Sequence, residues 1–383
     1  MAVRDQGRGP GASFSENPQR GMMETMSTDN AAPAQVVIEP LAENIRSVQP
    51  GGGICYRIEL AWGRWRRWWL RHFRPAYVRA MAARRQGDAG GAPHEILDPR
   101  DLKYCRNQCG CGWAESDDPF RWRRWIPLAR WGAAELCLMG GPLAALAAAA
   151  GCFAWYLALP PAAILALLVY FFRDPPRRVP QEPGLLVSPA DGTICEVTRL
   201  EHDEFLGGPA VRIGIFLSIF NVHLNRAPAA ARVMGLRYSP GEFLNALRPE
   251  SALRNENMWI GLEEEKGTQG VPGPHLCAAP GGRAPTEGWS RQMGTVPFFP
   301  GKEHEPHRRL VVRQISGAIA RRIVCDLRPG EVIPRGHKFG MIKLGSRTEL
   351  ILPDAPGLRI EVEVKQKVKA GVSVLARYEG PRS

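Results

Sequence analysis

The longest hydrophobic stretch of the chain lies between residues 131 and 172 and contains one charged residue, Glu135. Because a helix needs about 20 apolar residues to cross a bilayer, this stretch is long enough for two short spans. Glycines at 140–141 and prolines at 160–161 are available turn points, and arginines flank both ends. Positive flanks favour the cytoplasmic side, so the pattern predicts a membrane hairpin that enters and returns. A hairpin buried in the core of a soluble protein is the alternative.

Residues 179–383 show the pattern of a β-rich domain. Short runs rich in Val, Ile and Leu, such as AVRIGIFLSIF and TELILP, are separated by Gly, Pro and Asp. Apolar runs of this length between turn residues are typical of strands. Between residues 268 and 307 the sequence is rich in Gly and Pro and has no periodicity. A segment that long is unusual inside a compact domain, so we predict a disordered insertion there.

The chain before the hydrophobic stretch divides by composition. Residues 1–35 are rich in Gly, Ser, Pro and Ala without a hydrophobic period, which predicts a disordered N-terminus. Residues 36–130 interleave arginine with tryptophan, and they include a candidate amphipathic helix around 58–84. Trp and Arg together are typical of the membrane interface. We therefore predict that residues 36–130 form a membrane-surface region.

The charge of the chain agrees with that prediction. A net charge of +12 and an isoelectric point near 9.5 indicate an acidic partner, either a nucleic acid or an anionic membrane. Aromatic and basic residues also bind single-stranded nucleic acids by stacking. Because the basic, Trp-rich region directly precedes the long apolar stretch, the membrane is favoured and no nucleic-acid partner is expected.

The nine cysteines are scattered, and we expect no export signal. Both points favour a protein in a reducing compartment and argue against a disulfide framework. Cys105, Cys109 and Cys111 lie close together and would suit a zinc site with Cys55 or a histidine as the fourth ligand. Their spacing is not that of a standard zinc finger or ribbon. Free thiols in a polar loop are the alternative.

Three short stretches carry candidate chemistry. SPADG places Asp191 in a turn, and FLSIFNVHLNRAP places His223 after an apolar strand. HKFGMIKLGSRTELILP places Gly345 and Ser346 in the middle of what otherwise looks like one strand. Taken alone, each stretch has an ordinary structural explanation: a turn, a structural or solvated histidine, and a β-bulge.

Taken together, the three stretches predict a reaction within the chain. Asp, His and Ser can form a relay in which a carboxylate orients an imidazole and the imidazole activates a hydroxyl. The carbonyl nearest the Ser346 Oγ is that of Gly345, which no side chain shields. Attack there would convert the peptide bond to an ester and break the chain, with Asp191 and His223 assisting.

Several motifs, in order, give the chain a resemblance to the phosphatidylserine decarboxylase family, and to its short bacterial branch in particular. The motifs are FFRDP, SPADG, FNVHLNR, NENMWIGL, VRQISGAIARRIVCDL and RGHKFGMIKLGSR. The resemblance covers residues 131–383 apart from the loop at 268–307, and residues 1–120 fall outside it. It implies a β-rich α+β fold, with a barrel-like or sandwich catalytic domain over 173–383 that follows the membrane hairpin.

The resemblance also implies an activity. Self-cleavage between Gly345 and Ser346 would convert Ser346 to a pyruvoyl group, a covalent cofactor at the N-terminus of a small chain. The pyruvoyl would form a Schiff base with phosphatidylserine and act as an electron sink while CO2 leaves, giving phosphatidylethanolamine. Asp191 and His223 carry over as the residues that drive cleavage, and no metal is implied. Such a lyase would lie on the cytoplasmic side of the cell membrane with its two chains associated, and a homo-oligomer is left open.

Two departures from the family pattern concern histidines. The larger branch has a second histidine three residues after the first, and Arg226 occupies that place here. Either His223 covers both roles or Arg226 has a different one, and His337 is a poor substitute. Four residues of the 268–307 loop are expected to have no catalytic role: His275, Cys277, His304 and His307.

Two other functions remain open at this point. The same chemistry could act on another serine-headed lipid, such as an archaetidylserine-like ether lipid, because the head group is shared. A non-catalytic, membrane-anchored lipid-binding relative is the other alternative, and the intact Asp191, His223, Gly345 and Ser346 argue against it. Two bands on a denaturing gel would indicate a processed enzyme.

Overall fold

The structure, a computed structural model, describes most of the chain from residue 125 onward and a shorter N-terminal part. The described residues are 39, 42, 44, 45, 53–85, 125–248, 250–265, 308–318, 322–343 and 345–379. The predictions for residues 1–35, for Cys105, Cys109 and Cys111, and for the insertion at 268–307 therefore lie outside the described residues.

The described residues form six α-helices. They are α1 Gly53–Phe73, α2 Pro75–Arg85, α3 Ala133–Glu135, α4 Gly141–Phe153, α5 Leu159–Phe171 and α6 Ser251–Arg254. The amphipathic helix predicted around 58–84 is present as two helices, α1 and α2. They divide at Pro75, which has no N–H group to continue the hydrogen bonding of α1.

The predicted hairpin region folds as two apolar helical segments. Residues 130–153 form one helical segment that is long and apolar enough to cross a membrane, and Trp155–Phe171 is a shorter one. The break falls at Ala154, whose backbone is extended, and the two prolines lie in the first turn of α5. Gly140 is a packing position and not a turn, because a Cβ there would lie 3.3 Å from Leu165 of α5. Membrane insertion of these helices stays a prediction.

Fourteen β-strands lie in the described part of the chain, and they confirm the prediction of a β-rich fold. The strands are β1 Leu185–Val187, β2 Gly192–Asp203, β3 Gly208–Leu217, β4 Leu224–Arg226, β5 Ala231–Ser239, β6 Asn257–Glu264, β7 Arg309–Ser316, β8 Ile323–Cys325, β9 Val332–Ile333, β10 Lys338–Ile342, β11 Ser346–Pro353, β12 Leu358–Ile360, β13 Lys367–Val368 and β14 Val374–Tyr378.

The strands form three sheets, and every pairing between described strands is antiparallel. Eight strands in the order β13-β2-β3-β11-β7-β6-β5-β9 make a sheet that curls into a half-barrel. Two smaller sheets have the orders β4-β10-β8 and β1-β14-β12. In the large sheet β11 lies between β3 and β7, so both of its edges are hydrogen bonded.

The main core contains side chains from all three sheets. Along β3, the buried residues Val211, Ile213, Ile215 and Leu217 fall at every second position, because successive side chains of a strand point to opposite faces. Burying one such side chain stabilises the fold by about 1.5–3 kcal/mol. A shift of one residue would expose all four, so the core fixes the register of β3 and of its neighbour β11.

A second core cluster joins the apolar helices to the small sheet β4-β10-β8. Phe171 and Phe172, at the end of α5, pack in it with Val222, Leu224 and Met341. The end of α5 is therefore fixed directly against the connection that carries the candidate histidine.

Candidate active site

The three predicted site residues lie at one end of the large sheet. Ser346 is the first residue of β11 and pairs with Leu217, the last residue of β3. His223 follows in the connection from β3 to β4, and Asp191 immediately precedes β2. Since β2 runs antiparallel to β3, it begins at the same end. The backbones of Asp191 and Ser346 are separated by two strand spacings, roughly 10 Å.

Gly345 interrupts the single strand that the sequence suggests. Strand β10 ends at Ile342 and β11 begins at Ser346, and between them Gly345 has a φ of +71°. This left-handed conformation favours glycine, although a Cβ at Gly345 would meet no atom within 4 Å. The carbonyl of Gly345 lies against Gly317, where a Cβ would come within 2.2 Å of the carbonyl oxygen. Both glycines are therefore required by the geometry of this one peptide group.

The hydroxyl of Ser346 makes no hydrogen bond with the described residues. The Ser346 side chain is fully buried. Ser316 lies opposite it on β7, and its Oγ is also buried without a hydrogen-bond partner among the described residues. Leaving a buried hydroxyl unpaired costs about 1–3 kcal/mol. Unlike Ser316, Ser346 directly follows the Gly345 carbonyl, so its unpaired hydroxyl is available as a nucleophile there.

His223 contacts the candidate cleavage site directly. Its Nδ1 lies 2.9 Å from the carbonyl oxygen of Asn221, which can only accept, so Nδ1 carries the proton. Nε2 then accepts a hydrogen bond from the backbone N–H of Gly345 at 3.3 Å. Burial, with a further contribution from the nearby charge of Arg173, lowers the pKa of His223 to about 4. The ring is thus neutral at physiological pH and available as a base, and the Phe171 ring packs against it at 4.4 Å.

Asp191 lies in the same region but is not hydrogen bonded to His223. Its carboxylate forms an ion pair with Arg177 at 2.8 Å and accepts a hydrogen bond from the backbone N–H of Ala370 at 2.7 Å. Both ring nitrogens of His223 have other partners. Nδ1 donates to the Asn221 carbonyl, and Nε2 accepts from the N–H of Gly345. The direct carboxylate–imidazole contact of the predicted relay is therefore not present among the described residues.

Arg226 and His337 lie away from the cleavage site. The guanidinium of Arg226 donates to the carbonyl of Gly336 at 3.1 Å and lies 3.6 Å from the Asp174 carboxylate. These contacts tie β4 to the segment before β10 and to the residues that follow α5. His337 immediately precedes β10 at the end opposite to Ile342, about 16 Å of strand away.

A buried polar network that sequence reasoning did not assign supports the same face of β11. Asn225 donates to the Thr348 Oγ1 at 3.0 Å, and Gln314 donates to the Asn225 Oδ1 at 2.9 Å. Thr348 is two residues after Ser346 and so shares its face of the strand. The alternation of Ser346 and Thr348 along the strand is the signal in the sequence for a polar face, but the partner of Thr348, Asn225, lies 123 residues away.

Ion pairs hold the other face of the same strand. Arg347 lies 2.8 Å from Glu349 and also binds Glu196, and Arg313 lies 3.0 Å from the fully buried Glu349. Burial alone would raise the pKa of Glu196, but hydrogen bonds from Arg347 and Arg212 outweigh it and lower that pKa to about 2. The start of β11 is thus fixed on both faces around Ser346.

The zinc hypothesis gains no support from the described part of the chain, where no group of three His, Cys, Asp or Glu residues could hold a metal ion. Cys55 is buried in α1, and burial raises the pKa of its thiol. The other three cysteines of that hypothesis lie outside the described residues.

Comparison with known proteins gives one consistent family. The sequence model described as "Phosphatidylserine decarboxylase" matches residues 164–273 and 301–376. A relative from Rhodopirellula baltica, "Phosphatidylserine decarboxylase proenzyme", is 45% identical over 278 residues, which cover 73% of this chain and 99% of the relative. Proteins with the same description from Nitrosomonas eutropha and Desulfotalea psychrophila are each 35% identical, over 58% and 55% of this chain and 84% and 79% of their own lengths.

Proposed function

The chain belongs to the phosphatidylserine decarboxylase family, and on this premise we propose that it converts phosphatidylserine to phosphatidylethanolamine and CO2. The similar proteins are named proenzymes, which supports a chain that is processed before it acts. The proposed processing site is the bond between Gly345 and Ser346. The single observation that carries this proposal is the buried Ser346 Oγ, which has no partner among the described residues and lies beside a peptide group that His223 contacts.

The proposed cleavage uses the chain's own residues. The Ser346 Oγ attacks the carbonyl carbon of Gly345, its proton passes to Nε2 of His223, and the same proton then goes to the departing nitrogen. The peptide bond becomes an ester. Loss of the Ser346 α-proton expels the Gly345 carboxylate, and water then replaces the nitrogen, which leaves as ammonia. The small chain would begin with a pyruvoyl group.

The site suits that group. Ser346 supplies its three carbons, and loss of the Ser346 Oγ would break no hydrogen bond to a described residue. Once formed, the pyruvoyl carbonyl would take up the primary amine of the substrate and serve as the electron sink for loss of CO2. Nε2 of His223, which contacts the same peptide group, would take up a proton from water and deliver it to the product carbon as CO2 leaves.

Asp191 enters the proposal as a charged group held near the site. Its carboxylate binds Arg177 and the backbone before Gly371, so its negative charge is fixed at the end of the sheet where His223 and Ser346 lie. A negative charge there would stabilise the imidazolium that forms during cleavage. We expect Asp191→Asn to slow cleavage while the fold is retained.

We further propose that the apolar helices hold the enzyme at the cytoplasmic side of a membrane. Helix α4 buries none of its residues, and Phe153 is 87% exposed. A hairpin in the core of a soluble protein would bury such side chains. Lipid around α4 and α5 would cover them and would bring the site to a surface where the substrate is concentrated.

The decisive experiment measures CO2 from carboxyl-labelled phosphatidylserine in detergent micelles with the purified chain. We expect release of label, two chains by mass spectrometry, and loss of activity when borohydride is added with substrate. Ser346→Ala is the control and should give one chain and no label. Turnover that survives borohydride with substrate would contradict the pyruvoyl mechanism.

Release from a serine-headed ether lipid but not from phosphatidylserine would instead assign the alternative substrate. A single intact chain that binds phosphatidylserine without releasing label would assign the non-catalytic alternative.

A further inference from the structure

A short turn beside the candidate active site exposes two large apolar side chains. Asn221 closes the turn, because its Oδ1 accepts hydrogen bonds from both the backbone N–H and the Oγ of Ser218. At its tip Ile219 is 37% exposed and Phe220 is 59% exposed. The carbonyl of the same Asn221 holds the ring of His223. The exposed tip is thus rigidly connected to the reaction centre.

The turn is also tied to the apolar helices. Arg173, which follows α5, donates to the carbonyl of Phe220 at 2.8 Å and to that of Tyr170 at 2.7 Å. Its guanidinium also stacks on the Tyr170 ring at 3.7 Å. The tip therefore lies at the end of α5, where a helix that enters a bilayer would leave it.

A second apolar loop lies on the other side of the reaction centre. Phe243, Leu247 and Leu253 are 37%, 57% and 79% exposed. Between them, the buried Ala246 would lie 3.4 Å from a Cβ at Gly317, the residue that packs on the Gly345 carbonyl. The loop is closed by Asn255, whose side chain binds the backbone of Leu244 and of Ser316.

We propose that these two loops form a lipid-contacting rim that inserts among the acyl chains of the bilayer while the head group reaches Ser346. The rim consists of Ile219, Phe220, Phe243, Leu247 and Leu253. This inference rests on the proposed function and deepens it, because it assigns the surface that receives the apolar part of the substrate.

Three observations favour a bilayer as the partner. The rim continues from the end of an apolar helix, its apolar side chains flank one reaction centre, and the exposed Arg248 stands beside Leu247. Apolar side chains with arginine at their margin are typical of the interface of an anionic membrane.

The test compares two double variants, Ile219→Ser/Phe220→Ser and Leu247→Ser/Leu253→Ser, with Val332→Ser as the matched control. Val332 is 39% exposed on β9, four strands from β11. Turnover is measured on dioleoyl phosphatidylserine in vesicles and on monomeric dihexanoyl phosphatidylserine. We expect the ratio of the two rates to fall at least fivefold in each rim variant and to stay unchanged in the control.

An unchanged ratio of the vesicle rate to the short-chain rate in both rim variants would contradict the proposed role of the rim. An equal fall of that ratio in Val332→Ser would also contradict it. Inactivity of the unaltered chain on the short-chain lipid would instead count against the proposed function. Labelling needs no variant: a phosphatidylcholine with a photoreactive acyl chain, in vesicles, should label peptides that contain 219–220 and 243–253. Labelling of the Val332 peptide alone would overturn the proposal even if the variants fail to fold.

Discussion

Ser346 and His223 each have a property that reduces the stability of the fold. Ser346 buries a hydroxyl that has no partner among the described residues, and burial of His223 lowers its pKa to about 4. Both properties occur beside the peptide bond between Gly345 and Ser346, which is the distribution expected when a local cost accompanies a reaction.

Ser346→Ala should abolish cleavage without weakening the fold. The hydroxyl is the proposed nucleophile, but its removal breaks no hydrogen bond to a described residue and takes away an unpaired buried group. We expect one band on a denaturing gel and stability unchanged or raised by about 1 kcal/mol. Thr348→Val is the matched control, because the Thr348 hydroxyl binds Asn225: it should cost about 1 kcal/mol and still allow cleavage. Two chains from Ser346→Ala would remove this serine from the mechanism.

The lowered pKa of His223 predicts how the stability of the fold changes with pH. An unfolded histidine has a pKa of about 6.5, whereas burial lowers that of folded His223 to about 4. Between these values the unfolded chain binds more protons, so stability that is present above pH 6.5 is lost as the pH falls. The contribution lost between pH 7 and pH 5 is about 2 kcal/mol.

Urea unfolding of uncleaved Ser346→Ala in detergent at these two pH values measures the loss. The double variant Ser346→Ala/His223→Gln should lose the part of the pH dependence of stability that comes from His223. The part that comes from all other groups should be unchanged. Equal pH dependence in the two proteins would show that His223 titrates normally.

At the scale of elements, a buried ion pair connects the apolar helices to the strand before the cleavage site. Glu135 of α3 lies 2.5 Å from Lys343 and 3.1 Å from Arg322. Burial lowers the pKa of Lys343, and the Glu135 charge opposes that shift. The only charged residue of the 131–172 stretch therefore fixes a lysine two residues before Gly345.

Glu135→Gln should slow cleavage, because it leaves Lys343 buried without a countercharge at a cost of about 3–5 kcal/mol. Pulse labelling followed by a denaturing gel measures the half-time of cleavage. The double variant Glu135→Leu/Lys343→Met removes both charges and should recover most of the wild-type rate. Equal rates in Glu135→Gln and the wild type would show that this pair does not position the segment.

Local patterns in the sequence predict the elements better than they predict the contacts of the site. Alternating apolar residues indicate strands such as β3, and the Gly–Ser pair marks the place where the predicted strand divides. The carbonyl that binds His223 and the arginine that binds Asp191 follow from no local pattern. Contacts such as that of Asn225 with Thr348 join residues 123 positions apart, and only the assembled sheets bring them together.

At the scale of the whole molecule, the proposed cut divides both the half-barrel and a small sheet between two chains. The small chain would contain β11, β12, β13 and β14. Strand β11 lies between β3 and β7, β13 pairs with β2, and β14 pairs with β1. Separation of the chains would therefore expose strand edges and core side chains on both.

We expect the two chains to co-elute in size-exclusion chromatography in mild detergent and to separate only in denaturant. The reason is that both edges of β11 are paired within the large sheet. A large chain expressed alone, as residues 1–345, is the control and should aggregate, since it would lack an interior strand. Elution of a free small chain without denaturant would contradict the expectation.

Because β11 lies inside the large sheet, the proposed cut would make the refolding of the mature protein differ from the folding of its precursor. The precursor assembles its sheet within one chain, whereas the cut enzyme, once unfolded, would need two separate molecules to meet again. Its refolding would be bimolecular and its melting temperature would depend on protein concentration. Loss of activity on heating should then be governed by the rate of unfolding. An uncut chain would build the sheet within one molecule, and after a cut the rate of unfolding would set how long the sheet lasts.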